Sequence, residues 1–400
     1  MKLRLGRARV ALLLLFASSP MACAGSPSYA PGYLEAFESG LRAKSAGRME
    51  EAWRSFDEAY RTADRVKDRD EALYLRARTE IAMKRLGDAN ATLKLLAAAT
   101  PRGPRANRAE LDLAEVAGAS GDAAQQDRLE QAFLAKHPSD GLAVAALSRV
   151  VSRKRAEGNG ESLVPTLEAL VPGSRGTDNE QAVDVELAYA LEERGDFERA
   201  LALLLATARA HPYPKGPRTD DALYRASIIE ERLGRPALGI AHLREMLEPR
   251  EISGIGGSYE RPHFAEARMR IATLLLAHFD DHAGARRELR RVFDDHPDSR
   301  LRDDATWLSG KIALKDGDVE GACSDARRIA QSLAESRYAS CVGLLCSSVA
   351  PPAKAKRCAD YITRELRTPD VEPPGPTPPR ATAHGERPHD GASKESEAPQ

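Results

Sequence analysis

The residues that could do chemistry are few, and most of them are cysteines. The 400-residue chain has five: Cys23, Cys323, Cys341, Cys346 and Cys358. A thiol can be acylated, oxidised to a disulfide, or bind zinc as the thiolate. Cys23 stands apart near the N-terminus, and the other four fall within 36 residues near the C-terminus. Their spacings of 18, 5 and 12 contain no Cys-x-x-Cys knuckle, so they read as paired thiols rather than a zinc site. His278-Phe279-Asp280-Asp281-His282 sets two imidazoles four residues apart, as on a zinc-protease helix. It lacks the general-base Glu and falls where a turn is expected. Gly254-Ile255-Gly256-Gly257 has no strand before it, so it reads as a long loop between helix pairs and not as a phosphate cradle. The sequence contains no GxSxG, P-loop or HExxH motif. The expectation is no catalytic residue, no metal and no cofactor.

Residues 1–22 read as an export signal. Lys2, Arg4, Arg7 and Arg9 give the positive region, and Val10–Phe16 is an apolar core too short for a stable bilayer span. Met21-Ala22-Cys23 resembles the end of a bacterial lipobox, with Pro20 where Leu is usual. Ala22-Cys23-Ala24 also satisfies the small-x-small rule of ordinary signal peptidase. The lipobox reading makes Cys23 the lipidated N-terminus, followed by a polar tether (Gly25-Ser26-Pro27-Ser28). Ala24 rather than Asp after Cys23 implies, by resemblance to Gram-negative sorting, the outer membrane. The alternative is a soluble periplasmic protein. In either compartment the four distal cysteines should pair.

Those groups must be positioned by helices. Strand-like alternation is nearly absent. Apolar residues make up 42% of the chain but aromatics only 5%, so a core must be built from Ala and Leu in close-packed helices. Charged residues make up 30% and cancel to a net charge of −1, which argues against nucleic acid or acidic lipid as a partner. His137-Pro138, His211-Pro212 and His296-Pro297 read as repeated helix stops rather than ligands. After Thr368, Pro369–Pro379 holds six Pro, and a polar remainder follows; this tail is expected to be disordered.

Residues 181–212 read as helix, Gly turn, helix and Pro stop, with Leu187, Ala188, Leu191, Gly195, Phe197, Ala200, Leu204 and Pro212 at fixed offsets. This segment resembles a tetratricopeptide repeat. Similar units begin at Tyr33, Leu73, Asn107, Gly141, Asp220, Glu266 and Asp303. Their turns are expected at Gly47, Gly87, Gly121, Gly158–Gly160, Gly234 and Gly317, with Asp280 replacing Gly in one. The resemblance implies an all-α, right-handed superhelical solenoid of antiparallel helix pairs. The expected layout is signal 1–22, tether 23–32, repeats 33–334, a disulfide-stapled helix pair 335–367 and tail 368–400.

A solenoid of this kind implies a concave protein-binding face formed by the first helix of each pair. The resemblance places Phe37, Leu41, Lys44, Val185, Tyr189, Glu192, Tyr224, Ile228, Glu231, Arg270, Leu274, His278, Trp307, Lys311 and Lys315 on that face. Tyr189, Tyr224, Arg270, Trp307 and Lys311 are the expected partner contacts. His296–Asp318 is similar to repeats of envelope assembly lipoproteins and Tol-Pal-linked coordinators through Pro297, Ser299, Asp303, Asp304 and Ala305. The function implied is a non-enzymatic scaffold for other cell-envelope proteins, as an independent binding module or as a subunit of an assembly machine. No small-molecule substrate is expected.

The end of a solenoid exposes an apolar face and needs a cap. Ser336–Ser348 and Ala353–Leu366 read as a capping helix pair. Hairpin symmetry favours Cys323–Cys346 with Cys341–Cys358, and Cys323–Cys341 with Cys346–Cys358 remains open. One acyl chain holds a protein to a membrane marginally and several hold it stably. Cys23→Ala should therefore move the protein from the membrane pellet to the soluble periplasmic fraction; an unchanged pellet would disprove the anchor.

Overall fold

The computed structural model describes residues 29–99, 102–158, 160–248 and 263–367. The export signal with Cys23, the loop at Gly254–Gly257 and the tail from Thr368 onward lie outside the described residues. Among the described residues there are 18 α-helices, one 3-10 helix and no strand. None of these helices is long and apolar enough to cross a membrane.

The chain divides into two compact units, Met1–Glu130 and Gln131–Gln400. The first contains α1 (Tyr33–Ser45), α2 (Met49–Thr62), α3 (Val66–Ala82), α4 (Leu86–Ala97), α5 (Ala106–Ala119) and the start of α6 (Ala123–Lys136). The second contains α7 (Ala143–Ala156), α8 (Gly160–Ser174), α9 (Glu180–Glu193), α10 (Phe197–Ala210), α11 (Thr219–Arg232) and α12 (Pro236–Leu247). It continues with α13 (Phe264–Phe279), α14 (His282–Asp295), α15 (Arg302–Lys315) and α16 (Val319–Ser332). A 3-10 turn at Ala339–Cys341, α17 (Val342–Leu345) and α18 (Asp360–Arg367) end the described chain. Within the units, α1/α2, α3/α4, α7/α8, α9/α10, α11/α12, α13/α14 and α15/α16 pack as antiparallel pairs, and α2 on α3, α4 on α5, α8 on α9, α10 on α11, α12 on α13 and α14 on α15 join one pair to the next.

The turn inside a pair repeats atom for atom. Gly47, Lys84, Gly121, Gly195, Gly234 and Gly317 all have φ between 59° and 85°. In each case the next residue's N–H bonds to the carbonyl five residues back, at 2.8–3.0 Å: Arg48 to Ala43, Arg85 to Glu80, Asp122 to Ala117, Asp196 to Leu191, Arg235 to Glu230 and Asp318 to Ala313. This is the Schellman closure, which satisfies helix-end carbonyls and requires one left-handed residue. In the second pair that residue is Lys84. Gly87, the expected turn glycine, lies inside α4, so the expected turn there is displaced by three residues. Asp280 does replace glycine, at φ 49°. Its turn is one residue wider, since Asp281 N–H reaches back to the Leu275 carbonyl. Asp281 and Asp318 then cap the second helix by accepting the N–H of Gly284 and Gly321.

The core is a set of stations counted from that turn. Ala52, Ala89, Ala200, Gly239, Ala285 and Ala322 stand five residues after it and are buried. Phe56, Leu93, Leu204, Leu243, Leu289 and Ala326 stand at nine and have no exposed surface. Ala59, Leu96, Thr207, Met246, Val292 and Ile329 follow at twelve, and all are buried. A small side chain at five lets the helices cross closely, and the larger ones behind it fill the gap. Gln126 breaks the rule in the third pair. Gly118 opposite makes room, since a Cβ there would meet the Gln126 amide at 2.3 Å.

The terminal segment differs from the expected helix pair. It holds a 3-10 turn, the one-turn α17 and the short α18. The chain leaves the helix at Cys346, which is extended (φ −153°, ψ 109°) and disulfide-bonded to Cys323 of α16. Pro351-Pro352 then keeps the following residues out of a helix. Cys341 pairs with Cys358, and the Cα separations of the two bridges are 4.8 and 4.9 Å. Of the two open pairings, the structure contains the one set by hairpin symmetry.

A non-glycine residue in the left-handed region costs roughly 1–2 kcal/mol. Lys84→Gly should raise stability by about 1 kcal/mol, and Gly195→Ala should lower it by a similar amount, in urea titrations of the purified chain. Equal midpoints for Lys84→Gly and wild type would contradict the turn assignment.

Candidate functional site

The face implied by the sequence is built from the first helices of the pairs. Its polar side chains are tied from one pair to the next. In the first unit, Arg78 of α3 donates to Glu115 of α5 at 2.8 Å and lies 3.5 Å from Asp112. In the second, Glu192 of α9 receives Arg225 and Arg232 of α11, the latter at 2.8 Å. Glu231 of α11 receives Arg270 at 2.7 Å and His278 at 2.9 Å, both from α13. Asp304 of α15 receives Arg337 and, at 2.7 Å, the Tyr338 hydroxyl. Each link joins consecutive first helices, or the last one to the segment that follows it. Burial pushes Glu231 up, but His278 and Arg270 prevail and hold its carboxyl below the usual range. Burial, with the nearby charge of Glu115, keeps Asp112 above that range despite Arg108 and Arg78.

Aromatic residues recur ten residues before the turn: Phe37, Tyr74, Tyr224 and Trp307. Three of them are covered by the lead-in to the next pair. The Arg105 guanidinium lies over Tyr74 at 4.9 Å. His263 stacks on Tyr224 with centroids 5.2 Å apart. Tyr338 stacks on Trp307 at 4.8 Å and 11°. The aromatic ring is thus a fastener between pairs.

This corrects part of the expected contact set. Trp307 is 2% exposed and belongs to the terminal core with Ile329, Val342, Leu345 and Ile362. It is not on a binding face. Tyr224 is half-buried under His263, and Arg270 is spent on Glu231 and on the Ser227 hydroxyl at 2.8 Å. Tyr189 is half-buried with the Arg225 guanidinium 5.5 Å from its ring, and burial pushes its phenol up. Val185, Ile228 and Leu274 are buried. Lys311 is half-buried and Lys315 is exposed on α15.

The first unit offers a different set. Leu41 is 40% and Leu34 is 44% exposed on α1. Lys44 is half-buried, with no ion-pair partner among the described residues. Burial, aided by the charge of Arg78, lowers its pKa. Among the described residues no cluster of His, Cys, Asp and Glu could hold a metal ion. The links Arg78–Glu115, Glu192–Arg225 and Glu231–Arg270 were not anticipated. Their signal in the sequence is opposite charges separated by 37, 33 and 39 residues, close to the repeat length.

No family model matches the chain, and no curated protein matches it. Similar solved structures include part of a tetratricopeptide-repeat protein of Cytophaga hutchinsonii. It is 14% identical with a TM-score of 0.43, covering 67% of this chain and 98% of that one. A tetratricopeptide-repeat protein of Parabacteroides merdae is 11% identical with a TM-score of 0.32, covering 70% and 98%. PilF of Pseudomonas aeruginosa is 16% identical with a TM-score of 0.35, covering 57% and 93%. The fold class of this chain, a tandem all-α array of helix pairs, rests on its own turns and stations.

His263 ties Tyr224 to Asp221, whose carboxylate is 2.9 Å from its Nε2. That bond raises the imidazole above its ordinary range, against burial. A folded-state pKa above the unfolded one contributes stability below the unfolded pKa, and loses it as pH rises through the folded one. Asp221→Asn should therefore lower the melting temperature more at about pH 5.5 than at about pH 8.5. An equal loss at both pH values would show that the pair carries no proton-linked stability. Trp307→Ala should cost roughly 3–5 kcal/mol, as a core truncation does.

Proposed function

We propose that this chain is a lipid-anchored, non-enzymatic scaffold of the bacterial cell envelope, docking other envelope proteins on the face of its first helices. One observation carries the reading: equivalent helix pairs share buried stations, while the residues on their outward positions differ from pair to pair. A repeat array fixes its fold through the stations and leaves the outward positions to recognise a partner. In the first unit those positions hold Leu34, Leu41 and Lys44; in the second they hold Tyr189, Lys311 and Lys315.

The envelope assignment rests on the order of residues 1–25: positive region, short apolar core, small residue, Cys23 and polar tether. The paired distal cysteines fit an oxidising compartment. The lead-in Pro297-x-Ser299 with Asp303-Asp304-Ala305 adds the likeness to envelope assembly lipoproteins.

The test is affinity purification of the anchored protein after cross-linking in intact cells. Wild type should bring down a defined set of envelope proteins. Leu41→Glu with Lys44→Glu, or Lys311→Glu with Lys315→Glu, should lose part of that set at least tenfold with an unchanged melting temperature. The same proteins in the same amounts from both double variants would overturn this choice of face.

A further inference from the structure

The array ends on an interrupted repeat. Ser336-Arg337-Tyr338 repeats Ser299-Arg300-Leu301 at an offset of 37 residues. The contacts repeat as well. The Ser299 hydroxyl accepts the Leu301 N–H at 3.2 Å, and the Ser336 hydroxyl accepts the Tyr338 N–H at 3.1 Å. Tyr338 performs the lead-in's task by covering Trp307. A first helix then begins as α17 and stops after one turn, and among the described residues no second helix of repeat length follows it, only the eight-residue α18 from Asp360.

The flank that a second helix shows to the next pair is set by its stations two, six and thirteen residues after the turn. At two, Met49, Leu86, Phe197, Pro236 and His282 are all half-buried. Phe197 lies under Arg232 of the next pair, and His282 bonds to Asp316 of the next pair. At six, Trp53 donates to Glu80 at 2.8 Å, and Leu201 and Ile240 are buried. At thirteen, Ala208 is buried, and Phe293 lies between Arg302 at 4.1 Å and Arg328 at 4.9 Å. Neighbouring second helices also meet directly, through Arg85–Glu50, Arg235–Glu198 and Arg286–Asp318.

On α16 the same stations are Val319, Cys323 and Ala330. Val319 is 64% exposed. All three line an open depression of about 780 Å³, with Glu320, Arg327 and Val349. Leu344 stands where Trp307 stands one repeat earlier, and it is 41% exposed.

We infer that this flank of α16 is a docking site for a single amphipathic helix of a partner protein, seated where the missing second helix of the interrupted repeat would lie. The flank continues an interface the chain already makes: Trp53, Phe197, His282 and Phe293 occupy these stations on earlier second helices, and each meets a residue of the pair that follows. The stations also state the ligand's chemistry. It carries a small residue, then apolar residues four and seven positions on, as in Ala285, Leu289 and Val292. This site goes beyond the first-helix face proposed above.

The probe is a fluorescein-labelled synthetic peptide of the α14 sequence, His282–Asp295, added to the full mature chain under non-reducing conditions. Anisotropy should show saturable binding. Val319→Asp and Val349→Asp should each weaken it at least tenfold; both positions lie at the surface of the depression. A peptide carrying Leu289→Asp should not bind, which separates docking from attraction to the peptide's arginines. Leu41→Glu with Lys44→Glu should leave the binding unchanged, so this proposal and the first-helix face can fail separately. No saturable binding, or equal binding by wild type and both Asp variants, would overturn the site. Self-association of the full chain that Val319→Asp abolishes would also overturn it, because the occupant would then be a second copy.

Discussion

Two antiparallel helices must reverse direction within three residues and still cross closely enough to exclude water. The rest of this structure follows from that constraint. One left-handed residue closes the turn, and the carbonyl five residues back accepts the bond that holds it. The reversal fixes the phase of the second helix relative to the first. The residue five positions later must therefore meet the first helix at its nearest approach, which admits Ala or Gly and little else. The positions at nine and twelve then have a fixed depth to fill. A chain with few aromatics can meet these demands many times over because each demand is small and local.

Where the rule is broken, the compensation lies close by. Gln126 occupies the small station, and Gly118, having no side chain, leaves the room it needs. Lys84 and Asp280 take the left-handed conformation without being glycine. Asp280 does so in a turn widened by one residue, and short polar side chains tolerate that region better than most. Lys84 keeps the tight closure, and nothing in its surroundings explains the choice of lysine. The signal in the sequence was the small residue at five rather than the glycine itself. For that reason Gly87 marks the helix pair in the sequence but not its turn, which closes at Lys84.

The helix pairs, their order and the burial of Ala and Leu were legible because each depends on residues within one repeat. The binding face was less legible because its residues answer to partners a repeat away. Trp307 and Tyr224 looked like exposed anchors by their position in a single repeat. The residues that cover them, Tyr338 and His263, lie 31 and 39 positions further on. Arg270 and Glu231 are each consistent with a solvated groove when read alone, and only together do they form a link. A large aromatic or a charge on a repeat surface can hold the next repeat or wait for a ligand. The two cases are told apart by what stands about one repeat later.

The same reasoning explains why the cysteines cluster where they do. Inside the array, α2, α4, α8, α10, α12 and α14 each pack on the first helix of the pair that follows, with no disulfide between them among the described residues. At α16 the following repeat supplies a lead-in and one helical turn, too little apolar surface to hold itself in place. A bridge closing a loop of about 20 residues contributes roughly 3 kcal/mol in the chain-entropy model. Cys323–Cys346 ties the stub to α16, and Cys341–Cys358 ties the stub to the chain beyond it. Ile362 of α18 then enters the same core as Trp307 and Leu345. The covalent ties replace the packing that a complete repeat would have provided, and they hold in place a terminus that remains partly uncovered at Val319 and Leu344.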